Sequence, residues 1–384
     1  MSPAAGPDRQ VLLDRPSELE AGDPSGMLRA VASSAAQVRE AAALCTEAGV
    51  SRLSEEDRPR SVVVLGMGGS GIAGDVLGAV AGPACPVPVV SHRGHGLPTW
   101  VGAADLVVAV SCSGATEETL SALEEAVRRG CRLLVVGASG SPLEVLASRG
   151  RAIFVPVGQG RQPRASVFAL CTPVVIAGDA LGLLSCSPEE VEAAAVQLEQ
   201  LAARNRPDAE LVLNPSKTLA SSLVGALPMV WGSSPLAGVA AYRFACQLNE
   251  NAKTPATWGV LPEAGHNQIV ALDGPFAGRA SAPGDLFRDR GEDEDVEHTQ
   301  LHLVLLRDTE EHPAVSRRAL VVRDLARSRG VEVSELVSEG SSSFQRMASL
   351  ITVGDWASTY LALCLGIDPT PVEAITELKG ELSR

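Results

Sequence analysis

Short apolar runs alternate with amphipathic stretches in the first half of the chain, and this alternation predicts a parallel α/β fold. An amphipathic helix is predicted from Met27 to near Gly49. From Ser61 onward, runs typical of buried strands alternate with helical stretches such as TEETLSALEEAVRRG. Strands and helices in alternation form a doubly wound parallel sheet, with ligands at the carboxyl ends of the strands. The predicted strands are SVVVLG, PVPVVS, DLVVAVS, RLLVVGAS and AIFVPV.

The second half of the chain repeats this order of elements. Strands are predicted at LPMVWG, LHLVLLRD and GVEVSELVS, and helices at SSPLAGVAAYRFACQLNENAK and SSFQRMASLITVGDWASTYLALCLG. We therefore expect two doubly wound parallel-sheet α/β domains that face each other across a cleft. The predicted segments are an N-terminal surface arm at 1–22, a first domain at 23–186, a helical connector at 187–207, a second domain at 208–384 and, within it, an exposed acidic loop at 274–297.

Composition and charge narrow the classes of function. The 384 residues suffice for two domains of roughly 150 residues, each with its own core. A net charge of -14 opposes binding to nucleic acid and to anionic membranes. No stretch reaches the roughly 18 apolar residues of a membrane span, and no signal peptide is evident. The eight cysteines form no C-x-x-C pair, which indicates reduced thiols and a cytoplasmic protein.

A carboxylate and an imidazole lie close together in the segment QLNENAKTPATWGVLPEAGHN. They are Glu250 and His266, which stand among amides and glycines. Aldose-ketose isomerisation needs a base to carry a proton between adjacent carbons and a second group to open the sugar ring, and Glu and His can do both. The pair alone also fits a surface charge and a loop histidine. The hypothesis therefore requires a binding site elsewhere for the rest of a phosphosugar.

Two loops offer that binding site. Residues 66–71, GMGGSG, follow a predicted strand and match the G-x-G-x-x-G pattern of dinucleotide sites. The next strand ends without a carboxylate for a ribose, although Arg93 leaves an NADP site open. Residues 111–116, SCSGAT, form a second loop before a helix, where hydroxyls, backbone N–H groups and the helix dipole can bind phosphate. Each loop also fits a simple helix cap. Two such loops on neighbouring strands favour one phosphate pocket.

Several motifs, in order, resemble those of a known family. VVVLGMGGSGIAGD, VVAVSCSGATEETL, QPRA, NENAK followed by PEAGHN, and the closing GDWASTYLALCLGIDPTPVEAITELK are similar to segments of the bifunctional phosphoglucose/phosphomannose isomerases, which have two sugar isomerase (SIS) domains. The resemblance runs from about residue 23 to the C-terminus. It implies two SIS-type, flavodoxin-like doubly wound parallel-sheet domains, a sugar 6-phosphate substrate, a homodimer, and no metal or other cofactor.

The resemblance also implies roles for individual residues. Glu250 would be the general base that moves a proton between C1 and C2 through a cis-enediol intermediate, and His266 of the partner subunit would open the ring. Arg164 would stabilise the enediolate, and Lys379 would contact the substrate. The phosphate would be held by Gly68, Gly69, Ser70, Ser111, Ser113 and Thr116. Two departures bear on substrate preference: Ala115, where the family often has Asn, and the acidic stretch 274–297.

Other interpretations stay open at this point. His298 and His302, beside Glu297, could bind a metal from one face of a helix, but the segment predicts a strand and offers no further ligand. Asp75 is expected to brace its own helix or a neighbour, and Cys112 to pack rather than react. The functional alternatives are a regulatory SIS protein that binds a sugar phosphate without catalysis, and an isomerase restricted to mannose 6-phosphate.

Overall fold

The computed structural model describes residues 12–158, 160–278 and 299–382. These residues form two compact units. The first unit comprises Met27–Ala203 and Glu339–Thr352, and the second comprises the described residues among Met1–Gly26, Arg204–Ser338 and Val353–Arg384. Among the helices of these residues, none combines bilayer-spanning length with a sequence apolar enough for insertion.

The N-terminal part of the described chain belongs to the second unit and buries two leucines there. A 3-10 turn at Leu12–Asp14 leads into helix α1 (Pro16–Gly22), and both Leu13 and Leu19 are fully buried. Most other side chains of residues 14–22 are exposed, so this segment lies at the surface of the unit while its two leucines contribute to the core, and the predicted arm at 1–22 stays a prediction. Residues 1–11 of the predicted arm lie outside the described residues.

The first unit contains a five-stranded parallel sheet in the order β2-β1-β3-β4-β5. Its strands are β1 (Val62–Leu65), β2 (Val89–His92), β3 (Leu106–Ser111), β4 (Arg132–Ala138) and β5 (Ile153–Val157). Its helices are α2 (Met27–Ala32), α3 (Ser34–Ala48), α4 (Gly68–Ala81), α5 (Glu117–Arg128), α6 (Pro142–Arg149), α7 (Val167–Ala180) and α8 (Pro188–Asn205). Each strand predicted for the first half of the chain is present.

Helices cover both faces of this sheet, which explains why β1 and β3 are buried along their whole length. One face packs on α5 and α6 through a cluster that includes Val63, Val107, Leu123 and Leu143. The other face is covered by α4 and α7. The carboxyl ends of β1 and β3 therefore lie side by side at one edge of a rigid core.

The helix predicted from Met27 to near Gly49 is divided in two. The hydroxyls of Ser33 and Ser34 donate to backbone carbonyls of α2, each over 2.7 Å, and separate α2 from α3. Gly49 ends α3 as predicted, with a φ of 72° that favours glycine.

The second unit contains a four-stranded parallel sheet in the order β7-β6-β8-β9. Its strands are β6 (Leu227–Gly232), β7 (Thr257–Val260), β8 (Leu301–Arg307) and β9 (Glu332–Val337). The helices here are α9 (Pro215–Ser222), α10 (Pro235–Glu250), α11 (Pro313–Ser328), α12 (Ser343–Cys364), which the first unit shares up to Thr352, and α13 (Glu373–Leu382).

The predicted fold class of two parallel-sheet α/β domains is confirmed, whereas the cleft between them stays a prediction. Strand β7 was missed by the sequence analysis. It has four residues, begins with the exposed Thr257 and Trp258, and follows Pro255, so its sequence resembles a loop. Of the predicted acidic loop, residues 279–297 lie outside the described residues.

Candidate active site

The glycine loop between β1 and α4 is compact at both of its ends. A Cβ on Gly66 would lie 3.0 Å from the backbone of Ser70 and from the carbonyl of Val110, and one on Gly71 would lie 2.7 Å from the Gly66 carbonyl. Gly68 has a φ of +52° and open space on its Cβ side. The loop thus needs glycine for its own packing and leaves the start of α4 accessible.

The second loop, from Ser111 to Thr116, is held together by hydrogen bonds between its own hydroxyl and N–H groups. The hydroxyls of Ser111 and Thr116 lie 3.0 Å apart, Gly114 N donates to Ser111 Oγ over 3.1 Å, and Ala115 N donates to Ser113 Oγ over 3.3 Å. Gly114 has a φ of +64°, and a Cβ there would lie 2.1 Å from the Ser141 hydroxyl.

The two loops are joined directly. Cys112 N donates to Ser70 Oγ over 3.1 Å, so Ser70 in the first turn of α4 contacts the loop that follows β3. The structure therefore brings the predicted phosphate-binding residues of both loops to neighbouring positions at the N-termini of α4 and α5. Burial raises the pKa of the Cys112 thiol, which disfavours the nucleophilic thiolate.

Arg93 contacts protein groups at the glycine loop. Its guanidinium forms an ion pair with Asp75 and donates to the Gly71 carbonyl over 3.1 Å. Asp75 also accepts from the Ser91 hydroxyl over 2.7 Å. The prediction that Asp75 braces its own helix or a neighbour is confirmed for the neighbour, because Ser91 belongs to β2 and Arg93 follows it directly. The contacts with Asp75 and Gly71 weaken the hypothesis that Arg93 serves a nucleotide phosphate.

The turn that carries Arg164 lies beside the glycine loop. Arg164 belongs to a 3-10 turn at Pro163–Ala165, is 8% exposed, and is followed at once by α7. A Cβ on Gly69 would lie 3.7 Å from the Pro163 carbonyl, which places the turn against the loop. The structure thus brings Arg164 close to the predicted phosphate site of the same unit.

Gln37 of α3 anchors the Arg164 turn, and the sequence analysis missed it. Its Nε2 donates to the Ala165 carbonyl over 2.6 Å, and its Oε1 accepts from Ala169 N over 3.2 Å. The side chain is buried, with both ends of its amide hydrogen-bonded. No sequence signal marks it, because a glutamine within a helix is usually an exposed residue.

Glu250 is the last residue of α10 and is half-buried. A buried ion pair between Arg243 of α10 and Asp355 of α12 fixes the helix before it, with a bond of 2.7 Å. Burial raises the pKa of Asp355, an effect that Arg243 opposes. After Glu250, the amide of Asn251 donates to Ser358 Oγ over 3.0 Å. The backbone around Glu250 is therefore held on both sides.

His266 lies on the surface of the second unit. It ends a 3-10 turn at Glu263–His266, after the carboxyl end of β7, and its side chain is exposed. Arg318 of α11 donates from Nη1 to His266 Nε2 over 3.4 Å. The following turn is tied to the sheet because Trp231 Nε1 donates to Gln268 Oε1 over 2.8 Å.

Glu250 and His266 lie at opposite ends of β7 within one chain. A Cβ on Gly238, early in α10, would lie 2.5 Å from the Val260 side chain at the end of β7. The helix therefore runs antiparallel to the strand. Glu250 follows Gly238 by twelve residues, roughly 18 Å at 1.5 Å per helical residue. The structure does not bring the predicted base and the predicted ring-opening histidine of the same chain together.

Lys379 and the possible metal ligand His302 lie on other elements than Glu250 and His266. Lys379 is exposed on α13, which has no buried residue. His302 is buried in β8, where its Nε2 contacts Ser334 Oγ at 2.8 Å and burial lowers its pKa. His298 and Glu297 lie outside the described residues. Within 12–158, 160–278 and 299–382, no cluster of three His, Cys, Asp or Glu side chains could hold a metal ion.

Comparisons with known proteins extend across both units. Residues 213–382 match the model of the bacterial phospho-glucose isomerase C-terminal SIS domain. The bifunctional phosphoglucose/phosphomannose isomerase of Caldicellulosiruptor bescii is 33% identical over 84% of this chain and 89% of its own length. That of Aquifex aeolicus is 30% identical over 85% of this chain and 91% of its own length.

A solved structure is similar in fold. The glucose-6-phosphate isomerase of Chlamydia trachomatis superposes with a TM-score of 0.67 at 14% identity, covering 98% of this chain and 86% of that chain. At this identity the likeness concerns the fold alone.

Proposed function

The chain belongs to the bifunctional phosphoglucose/phosphomannose isomerase family, and from this premise we propose that it interconverts glucose 6-phosphate and mannose 6-phosphate with fructose 6-phosphate. The resemblance drawn from the motifs is thereby confirmed, and the chain is an isomerase by family. The structural observation that carries the proposal is the joining of two hydroxyl-rich loops through Ser70 and Cys112 beside the Arg164 turn.

The substrate phosphate binds at the two loops of the first unit. Backbone N–H groups of Gly68 and Gly69 and the hydroxyl of Ser70 stand at the N-terminus of α4, and the second loop adds the hydroxyls of Ser111, Ser113 and Thr116. Helix N-termini favour anions, and each hydrogen bond to a charged group contributes about 1.5–3 kcal/mol. These local interactions hold an anion on a chain whose net charge is -14.

Glu250 is the base that transfers a proton between C1 and C2 of the open-chain sugar, through a cis-enediol. Its position at the end of a fixed helix supports this role, because a positioned base accelerates such a transfer by roughly 10²–10⁴-fold. Arg164, largely buried and held by its turn, offsets the negative charge that develops on the enediolate oxygens. Lys379 contributes a further substrate contact. Proton transfer next to a carbonyl can be managed by such groups, so we propose no cofactor.

The working enzyme is a homodimer in which the partner's His266 opens the sugar ring. The location of Glu250 and His266 at opposite ends of β7 supports this arrangement, because it separates the two groups of one chain by about the length of the helix from Gly238 to Glu250. The exposure of His266 fits a side chain that completes a site on another subunit. We propose a cytoplasmic location, because the eight cysteines form no C-x-x-C pair and most of them are buried among apolar residues.

The test is the isomerisation of fructose 6-phosphate by purified protein, with glucose 6-phosphate and mannose 6-phosphate measured separately. Glu250→Gln should lower kcat by at least a hundredfold for both products. Glu47→Gln is the matched control, because Glu47 is an exposed glutamate in the last turn of α3, and it should keep the wild-type rate. Formation of mannose 6-phosphate alone would narrow the specificity. Binding of sugar phosphate without either product would replace the isomerase with a regulatory binding protein.

A further inference from the structure

The second sheet repeats the arrangement that joins the two phosphate loops in the first. β6 lies between β7 and β8, just as β1 lies between β2 and β3. In the first unit, the residue after β3 donates its N–H to a serine that follows β1, Cys112 N to Ser70 Oγ. In the second unit, the residue after β8 does the same, because Asp308 N donates to Ser233 Oγ over 2.9 Å. Both units therefore have a junction formed by an N–H-to-serine bond at the carboxyl ends of their central strands, with Ser70 in the first turn of α4 and Ser233 directly after β6 as the acceptors.

A carboxylate of the chain fills the junction in the second unit. Asp308 Oδ2 accepts from the hydroxyl of Ser234 over 2.9 Å, and Ser234 caps the N-terminus of α10. Asp308 Oδ1 accepts from Glu310 N over 3.3 Å and from Ser338 Oγ over 3.4 Å. Asp308 is 6% exposed. Hydroxyls and an N–H group at a helix N-terminus are what an external anion would contact, and here a side chain occupies that position.

The surroundings of Asp308 also disfavour a second anion. A cavity of about 460 Å³ opens beside it and is lined by Arg307, Thr309 and Glu311, among others. Arg307 is neutralised by ion pairs with Glu311 and Glu335. The Arg307 pair holds the pKa of Glu311 below its usual range although burial raises it, so Glu311 stays charged at neutral pH. A phosphate entering this cavity would meet the carboxylates of Asp308 and Glu311.

We infer that Asp308 acts as an internal anion that closes the second sheet to phosphate, so that each chain binds one phosphosugar, at the loops of the first unit. The expectation that each chain binds one phosphosugar rests on the proposed function. The closure itself rests on the contacts of Asp308 and on the charges around it. Removal of this carboxylate should convert the junction into a second phosphate site, formed by Ser233, Ser234 and the α10 N-terminus with Arg307 nearby.

The test is the stoichiometry of inorganic phosphate binding to the full chain, measured by calorimetry. Asp308→Gly removes the carboxylate, and Gly69→Asp places one in the first junction. We expect one phosphate per chain for the wild type, two for Asp308→Gly, none for Gly69→Asp and one for the double variant. Asp308→Asn, which fills the same space without charge, should stay at one.

The outcomes separate this inference from the proposed function. If the wild type binds no phosphate and Asp308→Gly binds one, the proposed phosphate site of the first unit is overturned and the inference about Asp308 is kept. If Asp308→Gly binds the same number of phosphates per chain as the wild type, the inference is overturned. If Asp308→Gly does not fold in the absence of phosphate, added phosphate should restore its folding, and failure of that rescue also overturns the inference.

Discussion

Replacing Gln37 with leucine tests whether Arg164 must be held by its turn. Gln37 is 1% exposed, and its amide bonds the Ala165 carbonyl and the Ala169 N–H. Leucine fills a similar volume without polar atoms, so both backbone groups lose their partner. Each unsatisfied buried group costs about 1–3 kcal/mol, so the loss of two partners should lower the free energy of unfolding by about 2–6 kcal/mol.

The same substitution should also lower the catalytic rate, because it should shift the position of Arg164. Displacement of a charged group by about 1 Å can cost roughly a hundredfold in rate. We expect the kcat of Gln37→Leu to fall by about 10- to 100-fold, because the proposed role of Arg164 is to stabilise the enediolate in the transition state. KM should change much less, because the substitution leaves the hydroxyls of the phosphate loops in place.

Gln197→Leu is the matched control. Gln197 is another nearly buried glutamine of the first unit, and its Nε2 donates to the Glu339 carbonyl over 2.6 Å, far in sequence from the Arg164 turn. Both variants should lose stability in urea titrations, and only Gln37→Leu should lose kcat with fructose 6-phosphate. Wild-type kcat in a destabilised Gln37→Leu would refute the positioning argument, as would an equal loss of kcat in the control.

Three further predictions follow from the geometry. Gly114→Ala should raise KM for fructose 6-phosphate at least tenfold, because the new Cβ would clash with the Ser141 hydroxyl and the backbone has a positive φ. Gly140→Ala is the control: Gly140 also has a positive φ, 72°, but has open space around it, so KM should stay unchanged. Asp355→Asn should lower the free energy of unfolding in urea by about 3–5 kcal/mol, because the buried Arg243 loses its counter-ion; a loss below 1 kcal/mol would contradict this. Burial lowers the pKa of His302 in the folded state, so the unfolded chain binds more protons below about pH 6.5. The free energy of unfolding should therefore fall between pH 7 and 5, and it should fall less steeply in His302→Gln. Equal slopes of this free energy against pH in the two proteins would contradict the prediction.

The sheet strands could be predicted because burial on both faces demands continuous apolar runs. DLVVAVS and LHLVLLRD became β3 and β8 for this reason. Strand β7 could not, because it pairs on one side only and begins with exposed residues. The division of the first long helix at Ser33 depends on hydroxyl bonds to the preceding turn, which periodicity does not reveal.

Residues of the candidate site could be predicted where the proposed chemistry requires particular residue types at strand ends. Residues that only hold other groups in position could not. Glycines and hydroxyls at strand ends indicated the two loops that form the proposed phosphate site. Gln37 and Asp308 gave no such signal, because a buried polar residue is recognised only from its partners. The separation of Glu250 from His266 along β7 also required the direction of α10 against the strand.

The most direct test of the central claim is isotope exchange at the transferred proton. Fructose 6-phosphate should be incubated with the enzyme in D₂O, and deuterium at C1 of the ketose and at C2 of both aldoses measured by mass spectrometry. The account predicts deuterium at these carbons with the wild type and with Glu47→Gln, and loss of at least a hundredfold in the exchange rate with Glu250→Gln. Exchange that continues unchanged in Glu250→Gln would contradict proton transfer by Glu250.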